Sequence, residues 1–256
     1  GEASKIISQD TIQNLPTLNI KITTNDEKSD AKKEDKSGIA QNEADRIAVT
    51  IRSIISWVDE VIVIDSGSTD NTMEIVQLMG AKAVFHAWPG YGLQKRFGED
   101  QCRNHWLLNL DADEEITPAL ADEIRAVFAN GEPKETGFVI QIRDLLPGET
   151  TLAPMAHTNF CVRLYNRTQA RFSDSPVHDS VIIESGQTRM LNAPALHRSF
   201  RNLSHAIEKL NSYSNAQARN LQKKGLMLAN FRLVIEFPLA FIKIYLLRAY
   251  ILRKIS

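Results

Sequence analysis

Two short acidic stretches carry side chains whose types and spacing can do chemistry. In "LNLDADEE" the acids Asp111 and Asp113 stand two positions apart. In an extended chain residues i and i+2 face the same way, so both carboxylates can address one point. Paired hard oxygen donors suit Mg2+ or Mn2+, which keep some waters and accept phosphate oxygens as further ligands. The same acids would also be at home opening the next helix, whose N-terminus favours negative charge. In "VIVIDSGSTDNT" an apolar run ends at Asp65 and small polar residues follow. Gly67 permits a turn and Ser68, Thr69 and Asp70 are good helix caps. Asp65 is the candidate acceptor of hydrogen bonds from a base or ribose. Neither the dinucleotide-binding GxGxxG nor the phosphate-loop GxxxxGK[ST] occurs at this turn.

The elements that must position these acids are legible as alternating strands and helices. Ile47, Ile51, Ile54, Ile55 and Val58 recur at helical spacing, with Asn42 as the candidate N-cap. "EVIVID" reads as a strand buried on both faces, because apolar residues continue without alternation. Met73, Ile75, Val76, Leu78 and Met79 predict the next helix, stopped by Gly80. "AKAVFH" is a short strand, "HAWPGYGLQKRFGEDQCRN" an irregular stretch, and "HWLLNLD" another buried strand. Thr117 and Pro118 open a helix with Leu120, Ile124, Val127 and Phe128 on one face. This order predicts an α/β fold with a mostly parallel sheet flanked by helices, ligands sitting beyond the carboxyl ends of the strands. Both acidic stretches fall on that edge. "GFVIQIR", "FCVRLYN", "RFSDSPVHDSVII" and "RMLNAPALHRSF" follow as strand and loop pieces, and a polar helix runs from about Ser204 to Lys224.

Composition excludes several classes. The 256 residues carry 30 Lys+Arg against 31 Asp+Glu, so no global field draws nucleic acid. Cys102 and Cys161 have neither disulfide-framework nor zinc spacing. The first twenty residues lack the basic start and apolar core of a signal peptide, which predicts a cytoplasmic protein.

The ordered set "QNEADRI", "VDEVIVIDSGSTDNT", "WPGYGLQKRF", "WLLNLDADEEITPAL" and "SPVHDS" resembles the family 2 glycosyltransferases, which have the Rossmann-like GT-A fold. In detail it is similar to the bacterial branch that adds glucose to the inner-core heptose of lipopolysaccharide. The resemblance spans roughly Gly38 to Ala218. It implies that Asn42, Glu43 and Asp65 line a uridine pocket, and that Lys95 and Arg96 contact the nucleotide or its diphosphate. It further implies that Asp111 faces ribose and metal, that Asp113 is the main ligand of Mg2+ or Mn2+, and that Asp179 is the general base. The branch commonly has "PVHE" where this chain has "PVHD", so that carboxylate is one carbon shorter. His178 and His197 read as structural, and Arg163 and Arg198 as candidates for an anionic acceptor.

The implied reaction is an inverting, metal-dependent transfer of a hexose from a UDP-sugar to a lipid-linked core oligosaccharide. A polyprenyl-phosphate sugar synthase, or a nucleotide-sugar-binding scaffold without turnover, are the alternatives left open. The implied organisation is a lead over 1–16, a GT-A domain over 17–225 with a polar insertion over 25–38, and a tail over 226–256. Whether "LNIKITT" before the insertion or "GIA" after it supplies the first strand stays open. Arg232, Glu236, Lys243, Arg248 and Arg253 interrupt the apolar tail, which is too broken to span a bilayer and predicts a segment lying on the cytoplasmic face of the bacterial inner membrane. A C-terminal helix pair packed on protein is the other reading of it. Members of the branch continue past the end of this sequence.

Overall fold

The structure is a computed structural model. It describes the backbone of residues 18–23 and residues 43–153, 156–175, 180–202, 204–208, 211, 214 and 239. In chain order the elements are β1 Leu18–Thr23, α1 Ile47–Arg52, β2 Glu60–Asp65, α2 Thr72–Leu78, β3 Lys82–Phe85, α3 Tyr91–Gln101, β4 Trp106–Asp111 and β5 Glu114–Ile116. They continue with α4 Pro118–Phe128, β6 Gly137–Asp144, β7 Thr158–Asn166, β8 Ala170–Phe172, β9 Val181–Ile183 and β10 Thr188–His197. Contacts divide the chain into two compact units, Gly1–Arg143 with Thr158–His197, and Asp144–His157 with Arg198–Ser256.

The first unit is built on an eight-stranded sheet of order β3-β2-β1-β4-β7-β6-β10-β5, with β8 and β9 as a separate pair. The expected parallel pairing holds across β3, β2, β1 and β4. Beyond β4 the sheet changes sense: β7 runs antiparallel to β4 and to β6, and β5 antiparallel to β10, so the sheet as a whole is mixed. The question of the first strand is answered by register. Ile20 lies opposite both Val61 of β2 and Leu108 of β4, so "LNIKIT" is the central strand and the polar stretch follows it.

Alternate residues of β2 enter opposite cores, as a strand buried on both faces requires. Val61 and Val63 join Ile47, Ile51, Leu108, Leu110, Leu120 and Ile124 on one face. Ile62 and Ile64 join Leu107, Tyr165 and Phe172 on the other. Helix α4 starts as its sequence predicts: the Leu120 N–H donates to Thr117 Oγ1 at 3.2 Å, and Thr117 donates to the Pro194 carbonyl at 2.8 Å. Gly80, at φ +80, ends α2.

Two helices depart from expectation. Helix α1 stops at Arg52 rather than running to Val58. Ser53 Oγ bonds back to the Thr50 carbonyl at 2.7 Å and also accepts the Ile116 N–H at 3.1 Å, drawing the chain into turns that keep Ile54 buried. Helix α3 occupies most of the stretch read as irregular. Its inward positions are Gly92, Gln94, Lys95, Gly98 and Glu99, so it has no apolar stripe to read. The tail over 226–256 lies outside the described residues, Leu239 apart. Among the described residues no helix is long and apolar enough to cross a membrane.

Candidate active site

At the carboxyl end of β4, the chain passes through a two-residue turn into the short β5. Asp111 ends the strand, Asp113 sits in the turn and Glu114 starts β5. The three acids meet four basic side chains, from α3, β7, β10 and the approach to α1. Lys95 of α3, fully buried, closes on Asp111 Oδ1. Arg163 of β7 donates through Nη2 to Asp111 Oδ2 at 2.9 Å and to Glu114 Oε1 at 2.5 Å. Arg46, which precedes α1, reaches Asp113 Oδ2 at 3.3 Å, while His197 Nε2 of β10 lies 3.4 Å from the same oxygen. The Asp111 N–H donates to Glu114 Oε2 at 3.0 Å, which ties the strand end to the start of β5.

The titration behaviour follows from these contacts. Burial alone would raise the Asp111 carboxyl, but Lys95 and then Arg163 outweigh it and hold the group well below the usual carboxylate range. Burial would likewise raise Asp113, and His197 with Arg46 brings it below the ordinary value. Glu114 goes the other way. Its burial dominates and the Asp111 charge adds to it, so the carboxyl is pushed up to about 6 although Arg163 opposes the shift. Arg163, buried but flanked by Glu114 and Asp111, is held well above its ordinary value.

The residues singled out from sequence divide accordingly. Lys95, Asp111 and Asp113 are brought together. Glu43 joins them through Arg46, whose Nε and Nη2 donate to its two carboxylate oxygens at 2.8 Å each. Asp65 is at the same sheet edge, but its carboxylate builds the turn: Oδ2 accepts the Gly67 and Ser68 N–H groups at 2.9 Å, and Oδ1 accepts the Ser68 hydroxyl at 2.6 Å. Arg96 is half-buried on α3 beside Lys95. Asn42 and Asp179 lie outside the described residues. Arg163 is not a solvated strand arginine; it is buried between two acids.

Arg46, Glu99 and Glu114 were not foreseen. Glu99, one turn beyond Lys95, accepts from the Tyr165 hydroxyl at 2.8 Å, from Arg171 Nε at 2.8 Å and from the Phe172 N–H at 3.0 Å. It fixes α3, and with it Lys95, against β7 and β8. The i, i+4 spacing of Lys95 and Glu99 was the available signal. Beside the cluster is a cavity of about 430 Å³ whose lining includes Asp111, Glu114, Arg163 and His197.

Of the two acids expected to meet a divalent cation, Asp113 is the less engaged. Asp113 offers its Oδ2 to two neighbours only at 3.3 and 3.4 Å, longer than well-formed bonds, and one of them is an imidazole nitrogen. Carboxylate oxygens suit Mn2+ or Mg2+ when phosphate oxygens and water complete the shell, while both oxygens of Asp111 are here engaged by Lys95 and Arg163. Among the described residues no three His, Cys, Asp or Glu side chains converge on one point.

Comparison with known proteins gives the family of the chain. Residues 39–199 match the family model Glycosyl transferase family 2. An uncharacterised glycosyltransferase of Rickettsia conorii is 41% identical over 222 residues, covering 83% of this chain and 78% of the relative. The lipopolysaccharide core biosynthesis glycosyltransferase LpsC of Rhizobium meliloti is 27% identical over 192 residues, covering 73% of this chain and 71% of that protein. Among solved structures, glucosyl-3-phosphoglycerate synthase from Mycobacterium tuberculosis, in complex with Mn2+, UDP and phosphoglyceric acid, is 16% identical with a TM-score of 0.47, over 86% of this chain and 82% of that one. The chain belongs to glycosyl transferase family 2.

Proposed function

We propose that the protein is an inverting glycosyltransferase that moves a hexose, glucose first among the candidates, from a UDP-sugar to a lipopolysaccharide inner-core acceptor. The observation that carries the reading is the acid cluster at the end of β4, backed by the buried Lys95 and opening on a cavity. The lipopolysaccharide core relative supports the acceptor class.

In this reading the acceptor hydroxyl oxygen attacks the anomeric carbon, the bond to the UDP oxygen breaks, and the hydroxyl proton passes to a carboxylate. Asp179 is the residue assigned to that proton, on sequence grounds. Lys95 and Arg96 are assigned to the diphosphate side on sequence grounds; Lys95, buried against Asp111, acts through that carboxylate, and Arg96 is the cation that would offset the charge growing on the leaving group. Asn42, Glu43 and Asp65 frame the uridine; since Asp65 is occupied by its turn, its part is to hold the loop in shape as well as to meet the base. Asp113, with Asp111, would hold Mg2+ or Mn2+, which would supply Lewis-acid stabilisation of the diphosphate. Residues 17–225 carry the chemistry, and the tail over 226–256 rests on the cytoplasmic membrane surface near the lipid-linked acceptor.

The test is incubation of the full chain with UDP-glucose, Mn2+ and a heptose-terminated acceptor, following UDP release and the mass of the glycan. Gain of one hexose is expected. UDP-glucose binding without transfer to any core acceptor would overturn the reading.

A further inference from the structure

The start of α3 and the chain that leads into it are turned inside out. Singly exposed apolar residues are ordinary on a protein surface. Here they crowd together: Phe85 is 65% and Leu93 38% exposed, Ala87 and Pro89 are exposed between them, and Trp88 and Tyr91 are half-buried. Polar side chains go inward instead. Gln94, fully buried, holds His86: its Oε1 lies 2.6 Å from His86 Nδ1, and its Nε2 donates to the His86 carbonyl at 3.3 Å. The His86 ring stacks on Phe97 with centroids 3.7 Å apart, and the His86 N–H donates to the Asp65 carbonyl at 2.8 Å. The loop is braced from beneath, and its apolar residues are held where water meets them.

Charge and the aromatic pair indicate what covers this face. From Lys82 to Gly98 there is no Asp or Glu, although the chain holds 31 acids in 256 residues. Lys95 is paired with Asp111, so the exposed Lys82 and the half-buried Arg96 give the face a positive sign. A positive, apolar face complements an anionic headgroup layer over acyl chains. A second copy of this chain would set positive face against positive face. Trp88 meets Tyr91 edge-on with centroids 5.0 Å apart, and among the described residues its indole N–H has no hydrogen-bond partner. Such a ring suits the headgroup level, where its carbon body lies in the apolar layer and its N–H meets polar groups.

We propose that the segment Phe85–Leu93 is a docking face for an anionic bilayer surface, with Trp88 at headgroup level. Phe85 lies opposite Asp65 in the pairing of β3 with β2, so docking brings that edge of the sheet to the lipid. The proposal goes beyond the glycosyltransferase reading and names a contact separate from the tail over 226–256. Vesicle binding tests it whether or not a hexose is transferred.

Tryptophan emission separates this face from the tail, which contains no tryptophan. Trp106 is buried in the core, and Trp57 packs against it with its N–H on the Ser53 carbonyl at 2.9 Å. Trp57→Phe in the full chain therefore leaves Trp88 as the accessible reporter. Vesicles of equal parts phosphatidylcholine and phosphatidylglycerol with brominated acyl chains should quench its emission, and phosphatidylcholine alone should quench it less. Adding Trp88→Phe should keep the protein on the vesicles and abolish the quenching. Phe85→Ser with Leu93→Ser, at two exposed positions outside the core, should lower the vesicle partition coefficient about tenfold. Failure of the full chain to bind the anionic vesicles would overturn the proposal. So would vesicle-bound protein with unchanged Trp88 emission, since the tail alone would then be the anchor. An unchanged coefficient in the Phe85 and Leu93 variant, or equal quenching by phosphatidylcholine alone, would overturn it as well. A dimer in vesicle-free solution that shields Trp88, with no quenching by vesicles, would overturn it in favour of a second copy.

Discussion

Replacing Lys95 by methionine isolates the contribution of the ion pair that anchors the cluster. Methionine keeps an unbranched, fully buried side chain in the same space and removes only the charge. Asp111, whose side chain is 20% exposed, is then left with Arg163, a cation it already shares with Glu114. Removing one member of a buried pair costs about 3–5 kcal/mol, and the partial exposure of Asp111 puts this case at the lower end, about 3 kcal/mol. That corresponds to a fall of about 6–12 °C in the midpoint of thermal unfolding, at the roughly 2–4 °C per kcal/mol of a unit this size. Asp111→Asn strands the buried ammonium and should cost a similar amount. The double variant removes both charges and should cost no more than either single variant, giving a coupling of at least about 3 kcal/mol in a urea-unfolding cycle. The acid limb carries the same signature. Because the folded Asp111 carboxyl lies below its ordinary 3.8, the stability it provides is complete above that value and is lost as pH falls below it. In Lys95→Met the carboxyl is less depressed, so that loss should be smaller. Single-variant costs that add to within about 0.5 kcal/mol in the double variant would refute the pairing as an energetic unit.

Glu114 titrates with the opposite sign. Its carboxyl is raised from 4.5 to about 6, so the folded state binds the proton more tightly and stability falls as pH rises between those values. The fall is at most ~2 kcal/mol, and Glu114→Gln should flatten that part of a urea-midpoint profile. At Gly92 an added Cβ would lie 2.2 Å from the Ser173 carbonyl oxygen and 2.7 Å from that of Ser175. Gly92→Ala should therefore displace the segment that leads to Asp179, lowering stability by about 1–3 kcal/mol and turnover by a larger factor than UDP affinity, as calorimetry and single-turnover kinetics would separate. Asp65→Ala removes the acceptor of two backbone N–H groups at the entry to α2; about 1–2 kcal/mol of stability should go with it, together with UDP affinity.

The parts of the fold that announced themselves were those whose buried faces are apolar. β2 is a continuous Val and Ile run, β4 a Trp and Leu run interrupted by the buried Asn109, and α4 has a Thr-Pro start with apolar residues at helical spacing, so pattern and burial largely coincide. The Asp-x-Asp stretch stands at the carboxyl end of β4, as its sequence predicts, but a turn replaces the extended strand that alternation assumes. The strand ends at Asp111, and the turn that follows hands Asp113 to Arg46 and His197 while Asp111 answers to Lys95 and Arg163. Partners that arrive from β7, β10 and the approach to α1 are set by tertiary pairing, which one-dimensional spacing does not encode.

Helix α3 explains why the chemistry was harder to read than the scaffold. A helix that covers a core is found by its apolar stripe, yet this one turns Gly92, Lys95 and Glu99 inward at spacings of three and four. Gly92 allows the close approach to Ser173 and Ser175, Glu99 binds Tyr165, Arg171 and Phe172, and Lys95 between them is delivered to Asp111. The periodicity is that of any packed helix, with contacts made by hydrogen bonds and charge rather than by apolar surface. A buried lysine held in this way is costly to desolvate and adds nothing to a core that leucine could not supply better. Under the proposed reading its place at the base of the acid cluster is accounted for by Asp111, whose carboxylate it neutralises and fixes at the edge of the sheet.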